Sequence, residues 1–183
     1  MVKRKEIGKL RRLFSYVLVI LAVFFVVGIF GGTYYLVIAP NLVKKPVIQR
    51  PPMVSDALSR IENGESVFNV KHINYVVNEL GAYKLKKGIS NDYPVIQFIF
   101  TDTNDYFVSY VENNVPITKR GVAKDPDLIV RMDQKTAYRI FNSHNIPSAV
   151  KEAKDGREFQ VELVADMKEL AIKGYLNLYE SIK

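Results

Sequence analysis

The spacing of hydrophobic positions changes several times along this chain, and each change predicts a different element. Residues 13–39 have no polar face: 27 consecutive positions lack an ionisable acid or base, and only Ser15, Gly28, Gly31, Gly32 and Thr33 interrupt the apolar and aromatic side chains. A helix needs ~20 such residues to cross the hydrocarbon core, so this run predicts one transmembrane helix. Tyr16 lies 18 to 19 residues before Tyr34 and Tyr35, which is ~27 Å along a helix and matches two interfacial aromatic belts. The run is about twice the ~7–15 residues of a cleaved signal core, and Pro40 would follow a cut at Ala39. A retained signal-anchor is therefore expected. Gly28 and Gly32 form a GxxxG spacing, which lets two spans approach closely as a homodimer.

Pro40, Pro46, Pro51 and Pro52 punctuate residues 40–52 and predict an extended, stiff linker. Beyond it, residues 53–183 alternate between two periods. A short helix is expected over 55–62, closed by Asn63-Gly64. Val70, Ile73, Val76, Val77 and Leu80 at three- and four-residue spacing predict a second helix that stops at Gly81. Strands are expected over 93–101, 106–112, 115–119 and 128–132, separated by Asp102-Thr103-Asn104-Asp105, Asn113-Asn114 and Asp125-Pro126-Asp127. In the second of them Tyr106, Val108 and Tyr110 share a face. Asp133 is placed to cap a helix over 134–142, and Pro147 and Gly156 bracket another over 147–155. Phe159, Val161 and Leu163 alternate with polar residues as a fifth strand. Residues 166–182 predict one amphipathic helix. Met167, Leu170, Ala171, Gly174, Leu178 and Ile182 lie on one stripe, with Lys173 on the polar side and Ile172, Leu176 and Tyr179 as a second apolar flank. The expected fold class is α+β: a five-stranded, mainly antiparallel sheet covered by helices and preceded by one transmembrane helix.

Charge changes the picture only at the N-terminus. The 183 residues carry 26 Lys plus Arg and 19 Asp plus Glu, a net charge of +7. Nine of those cations and one anion, Glu6, fall in residues 1–50, so the remainder carries 17 positive and 18 negative side chains. A cationic nucleic-acid footprint on the domain is thereby excluded. Lys3, Arg4, Lys5, Lys9, Arg11 and Arg12 precede the span, whereas Lys44, Lys45 and Arg50 follow it. The positive-inside bias puts the basic tail, 1–12, in the cytoplasm and the domain outside it, as in a single-pass protein of the cell membrane.

Candidate chemistry is sparse. With no cysteine, disulfides, cysteine zinc sites and thiol nucleophiles are excluded. The two histidines, His72 and His144, read as a helix-surface or interfacial side chain and a polar-loop residue. The chain has no P-loop, dinucleotide fingerprint, GxSxG elbow or HExxH. No catalytic residue, metal or cofactor is expected. What stands out is a surplus of apolar faces, more than a domain of about 130 residues covers by itself.

The stretch Asp125-Pro126-Asp127-Leu128-Ile129-Val130-Arg131-Met132-Asp133-Gln134-Lys135-Thr136-Ala137-Tyr138-Arg139-Ile140-Phe141-Asn142 resembles the central segment of the sterol carrier protein family, type two. The order of elements over 68–182 is similar to that family as well. The chain departs from familiar members in its membrane anchor and in ending Ser181-Ile182-Lys183 without a peroxisomal address. The resemblance implies an apolar tunnel between the sheet and the terminal helix. By position, its walls would be Phe98, Phe100, Val108, Leu128, Val130, Phe141, Leu170, Leu176 and Leu178. It further implies a domain that binds or transfers a lipid or other apolar small molecule; with the expected span and no catalytic constellation, the expectation is a membrane-anchored, non-enzymatic one. The competing expectation is a non-enzymatic protein-interaction module, such as a subunit of a cell-envelope complex.

Overall fold

The computed structural model describes residues 42–180 continuously and, before them, Leu21, Val23, Phe24, Phe25, Gly28, Ile29, Gly32 and Tyr34. The chain divides into two units, Met1–Ala39 and Pro40–Lys183. In the first, Leu21, Val23, Phe24, Phe25, Gly28, Ile29 and Gly32 are helical. The four described large apolar side chains at 21, 23, 24 and 25 are exposed. Around Gly28 and Gly32, an added Cβ would meet nothing within 4 Å. Among the described residues no helix is long and apolar enough to cross a membrane. The expected span over 13–39 lies largely outside the described residues.

The second unit runs α1 (Ala57–Glu62), α2 (Val70–Glu79), a 3-10 turn (Ala82–Lys84), β1 (Val95–Phe100), β2 (Asp105–Glu112), β3 (Val115–Arg120), β4 (Leu128–Met132), α3 (Gln134–Asn142), α4 (Ile146–Asp155), β5 (Phe159–Leu163), α5 (Met167–Lys173) and α6 (Tyr175–Glu180). The strands form one sheet in the order β3-β2-β1-β4-β5. β1 pairs in parallel with β4, and the other three pairings are antiparallel. A parallel neighbour requires a crossover. The crossover after β3 is held to the outer face by Gln97, which donates to the Gly121 carbonyl at 3.2 Å and accepts from the Ala123 amide at 2.6 Å.

Side-chain caps start these helices, at Asp133 as expected and also at Asn69 and Asn145. Asn69 caps α2, accepting from the Lys71 and His72 amides. Asp133 accepts from the Thr136 amide at 2.7 Å, and Asn145 from Ser148 at 3.1 Å. The terminal helix departs from expectation. Gly174 has φ +91° and closes α5, so two short helices replace the single one over 166–182. The glycine answers a left-handed backbone, and a close neighbour is not the reason: an added Cβ would meet nothing nearer than 3.7 Å.

Within the expected 40–52 linker, residues 44–52 form neither helix nor strand, and they pack on the domain as a strap. Lys45 pairs with Glu79 at 2.6 Å, and Asn78 donates to the Pro46 carbonyl at 3.1 Å. Arg50 donates to the Phe141 carbonyl, with its guanidinium carbon 4.9 Å from the centre of that ring. His72, expected as a helix-surface or interfacial side chain, is buried beneath the strap. It meets the Pro52 carbonyl through Nε2 at 3.2 Å and accepts from the Asn69 amide through Nδ1 at 3.2 Å.

Both His72 contacts suit the neutral ring protonated at Nε2. A second proton, on Nδ1, would face the Asn69 donor. Burial accordingly lowers the His72 pKa, against the raising effect of the Pro52 carbonyl. The unfolded chain then takes up a proton first as pH falls below about 6.5. Stability should decline on acidification through that value. Urea titrations should show this slope in the native chain and a flatter one in His72→Gln.

Candidate ligand-binding cavity

The register of three strands builds an apolar floor. Ile96, Leu128 and Leu163 form one row across β1, β4 and β5; Phe98, Val130 and Val161 form the next; Phe100, Met132 and Phe159 form the third. Period-two alternation points all nine to the helical face. α2 and α3 contribute Val76, Leu80, Ala137 and Ile140 to one wall, and α5 and α6 supply Leu170, Leu176 and Leu178 to another. Between floor and walls lies a cavity of about 580 Å³, within the ~300–1,000 Å³ range of small-molecule sites. Its lining holds no carboxylate, imidazole or aliphatic hydroxyl; Lys154 is its one charged residue among those described. Such walls can enclose and orient an apolar molecule. Among the described residues no group of His, Asp or Glu has metal-site geometry.

The mouth lies where lining residues are also exposed: Val161 and Leu163 on β5, Met167 on α5, and Leu176 and Tyr179 on α6. β5 is the sheet's edge strand, and nothing on its far side covers these side chains among the described residues.

Of the residues expected to line a tunnel, Phe98, Phe100, Leu128, Val130, Leu170, Leu176 and Leu178 are brought together here. Val108 and Phe141 are not. Val108 stands opposite Gln97 and Lys119 on the outer face, because Phe107, Ser109 and Val111 are the buried set of β2. Both sets are apolar enough that period two alone does not say which points inward. Phe141 packs away from the cavity, edge-on to His72 with ring centres 5.1 Å apart, beneath the strap. Phe159, Val161 and Met132 escaped the sequence reading, although the alternation of β5 carried the signal for the first two.

A buried ionic cluster fixes the wall formed by α5 and α6. Lys173, expected on the solvent side, is 2% exposed. Its ammonium donates to Asp127 Oδ1 at 2.6 Å and to Asp92, with Glu169 at 3.6 Å. Asp127 Oδ2 accepts from the Val95 amide at 2.7 Å and the Tyr175 hydroxyl at 2.9 Å. Burial by itself would lower the Lys173 pKa, but the hydrogen bonds and charges of Asp127 and Asp92 outweigh it and raise the pKa. The hydrogen bond from Lys173 lowers that of Asp92. Burial, then the Asp127 charge, push the Tyr175 phenol well above its ordinary value. In all three the shift favours the protonation state that holds α6 against β1 and β4.

No family model matches the sequence, and no curated protein sequence matches it. Solved structures similar to it include the UbiJ-SCP2 ubiquinone synthesis protein, at 11% identity over 61% of this chain and 92% of that one, with a TM-score of 0.38. They also include the stereoselective inverting sec-alkylsulfatase Pisa1 from Pseudomonas sp., at 16% identity, 46% of this chain and a TM-score of 0.32. A double mutant of that sulfatase matches at 16% identity, 48% of this chain and a TM-score of 0.34. The matches span 13% and 12% of the two sulfatase chains.

Removing one partner of the buried pair leaves an uncompensated charge, at a cost of about 3–5 kcal/mol. Lys173→Met and Asp127→Ala should each lose stability on that scale, and Lys173→Met combined with Asp127→Leu should lose less than the sum. Because the Lys173 and Tyr175 pKa values are raised, their contribution is complete below about pH 10 and is lost as pH rises beyond it. Urea denaturation of the variants, and of the native chain at alkaline pH, checks both.

Proposed function

We propose that residues 40–183 form a non-catalytic carrier for a lipid or other apolar small molecule, built like the sterol carrier proteins of type two. The carrying observation is the apolar cavity of about 580 Å³. Water in it finds few polar partners, because the walls are almost wholly apolar. An apolar occupant covers that surface instead. The almost wholly apolar lining supports carriage of an apolar molecule. On this reading residues 13–39 hold the carrier at the cell membrane as a single pass, with the domain on the extracytoplasmic side. The uncharged run and the charge asymmetry around it support that placement.

A fluorescent fatty acid is a suitable probe. The full chain in detergent micelles should take it up, and Leu176→Asp should weaken uptake roughly 30- to 100-fold, the equivalent of about 2–3 kcal/mol for a charge in an apolar wall. Leu176 is half-exposed, so the fold should survive the change. No uptake by the native chain would favour the interaction-module reading instead. Placement has its own check. External protease on intact cells should cut the domain while leaving the tail, and a fully shielded domain would overturn the orientation.

A further inference from the structure

We infer that the apolar rim of the cavity mouth is a docking face for a lipid bilayer carrying anionic headgroups, through which the cavity exchanges its occupant. The exchange rests on the carrier reading; the docking does not. Val161, Leu163, Met167, Leu176 and Tyr179 are each 46–60% exposed, and all five also line the cavity. A contiguous exposed apolar surface that runs into an apolar interior marks an interaction site, and its partner must supply apolar molecules. A bilayer is such a source.

The charges around the rim select the kind of bilayer. The carboxylates on and beside β5 and α5 are engaged: Glu158 with Arg139, Glu162 with Arg131 at 3.2 Å, Asp166 as the α5 cap and Glu169 beside Lys173. Lys151, Lys154 and Lys168 have no carboxylate partner among the described residues, and the Lys154 ammonium sits 4.5 Å from the centre of the Tyr179 ring. Apolar side chains flanked by a tyrosine and unpaired lysines have the composition of an interfacial face: the rings and aliphatic groups enter the acyl boundary while the ammonium groups meet phosphate.

The chain contains no tryptophan, so a single introduced indole reports its own surroundings. Leu163→Trp and Met167→Trp place it on the rim. Val122→Trp places it on the crossover loop, at a position 71% exposed next to the Ala123 that Gln97 ties to the opposite face of the sheet. Each full-length variant is reconstituted into phosphatidylcholine vesicles with or without phosphatidylglycerol, with bromine on the acyl chains as quencher. The rim indoles should be quenched several-fold more than the Val122→Trp indole. Phosphatidylglycerol should increase that quenching, and Lys154→Glu with Lys168→Glu should abolish the increase. Rim quenching no greater than at Val122→Trp overturns the docking face, whether a second copy or another segment of this chain covers the rim. Quenching indifferent to phosphatidylglycerol overturns the anionic preference. Fatty-acid uptake by the unsubstituted chain in micelles separates the two readings. Uptake without quenching rejects docking alone, and quenching without uptake rejects the carrier alone.

Discussion

The Lys173 ammonium, buried between Asp127 and Asp92, holds the cavity-forming half of the domain in place. Asp127 stands immediately before β4, takes the Val95 amide at the start of β1 and accepts from Tyr175 at the start of α6. One carboxylate thus joins two strands to the chain reversal at Gly174. Buried ion pairs seldom add much stability over apolar packing, yet breaking one is costly. That asymmetry suits a hinge position. It fixes α6 over the sheet without filling the space between them with side chains.

The space arises from how unevenly the helices cover the sheet. α2 lies on β2 and β3 through apolar residues and a polar seam, in which Thr118 donates to Asn74 at 3.1 Å and shares a hydrogen bond with Ser109 at 2.8 Å. Phe100 and Phe107 are fully buried there. Towards β4 and β5 the cover thins. Val130 and Met132 are half-buried, and Val161 and Leu163 are exposed. Interiors pack to crystal-like density when nothing else is to be held. A sheet closed at one end and open at the other has room for a guest.

The strap completes the opposite flank. Its contacts with α2 and α3 join the Lys45 and Arg50 side chains to Glu79 and Phe141, and the Pro46 and Pro52 carbonyls to Asn78 and His72. His72 joins strap to helix cap in a single neutral ring, which makes this flank acid-sensitive.

Much of this was legible in the amino-acid sequence, because element type depends on neighbours along the chain. Periodicity, the cap at Asp133, and turn residues at Asn113-Asn114 are local signals, and the strands and helices follow them within a few residues. The sequence by itself also determined the alternating apolar face of β5, whereas the rows that β5 forms with β4 and β1 come from strand register. Only tertiary structure decided which face of β2 points inward, and so excluded Val108; nothing in a two-residue period carries a direction. It likewise decided that Phe141 and His72 serve the strap, that Lys173 leaves the polar stripe for a buried pair, and that Gly174 ends a helix. Each of these depends on a partner 20 or more positions away in the chain or on a backbone angle. Solvation and charge pairing across such distances are properties of the folded arrangement, and a hydrophobic pattern does not encode them.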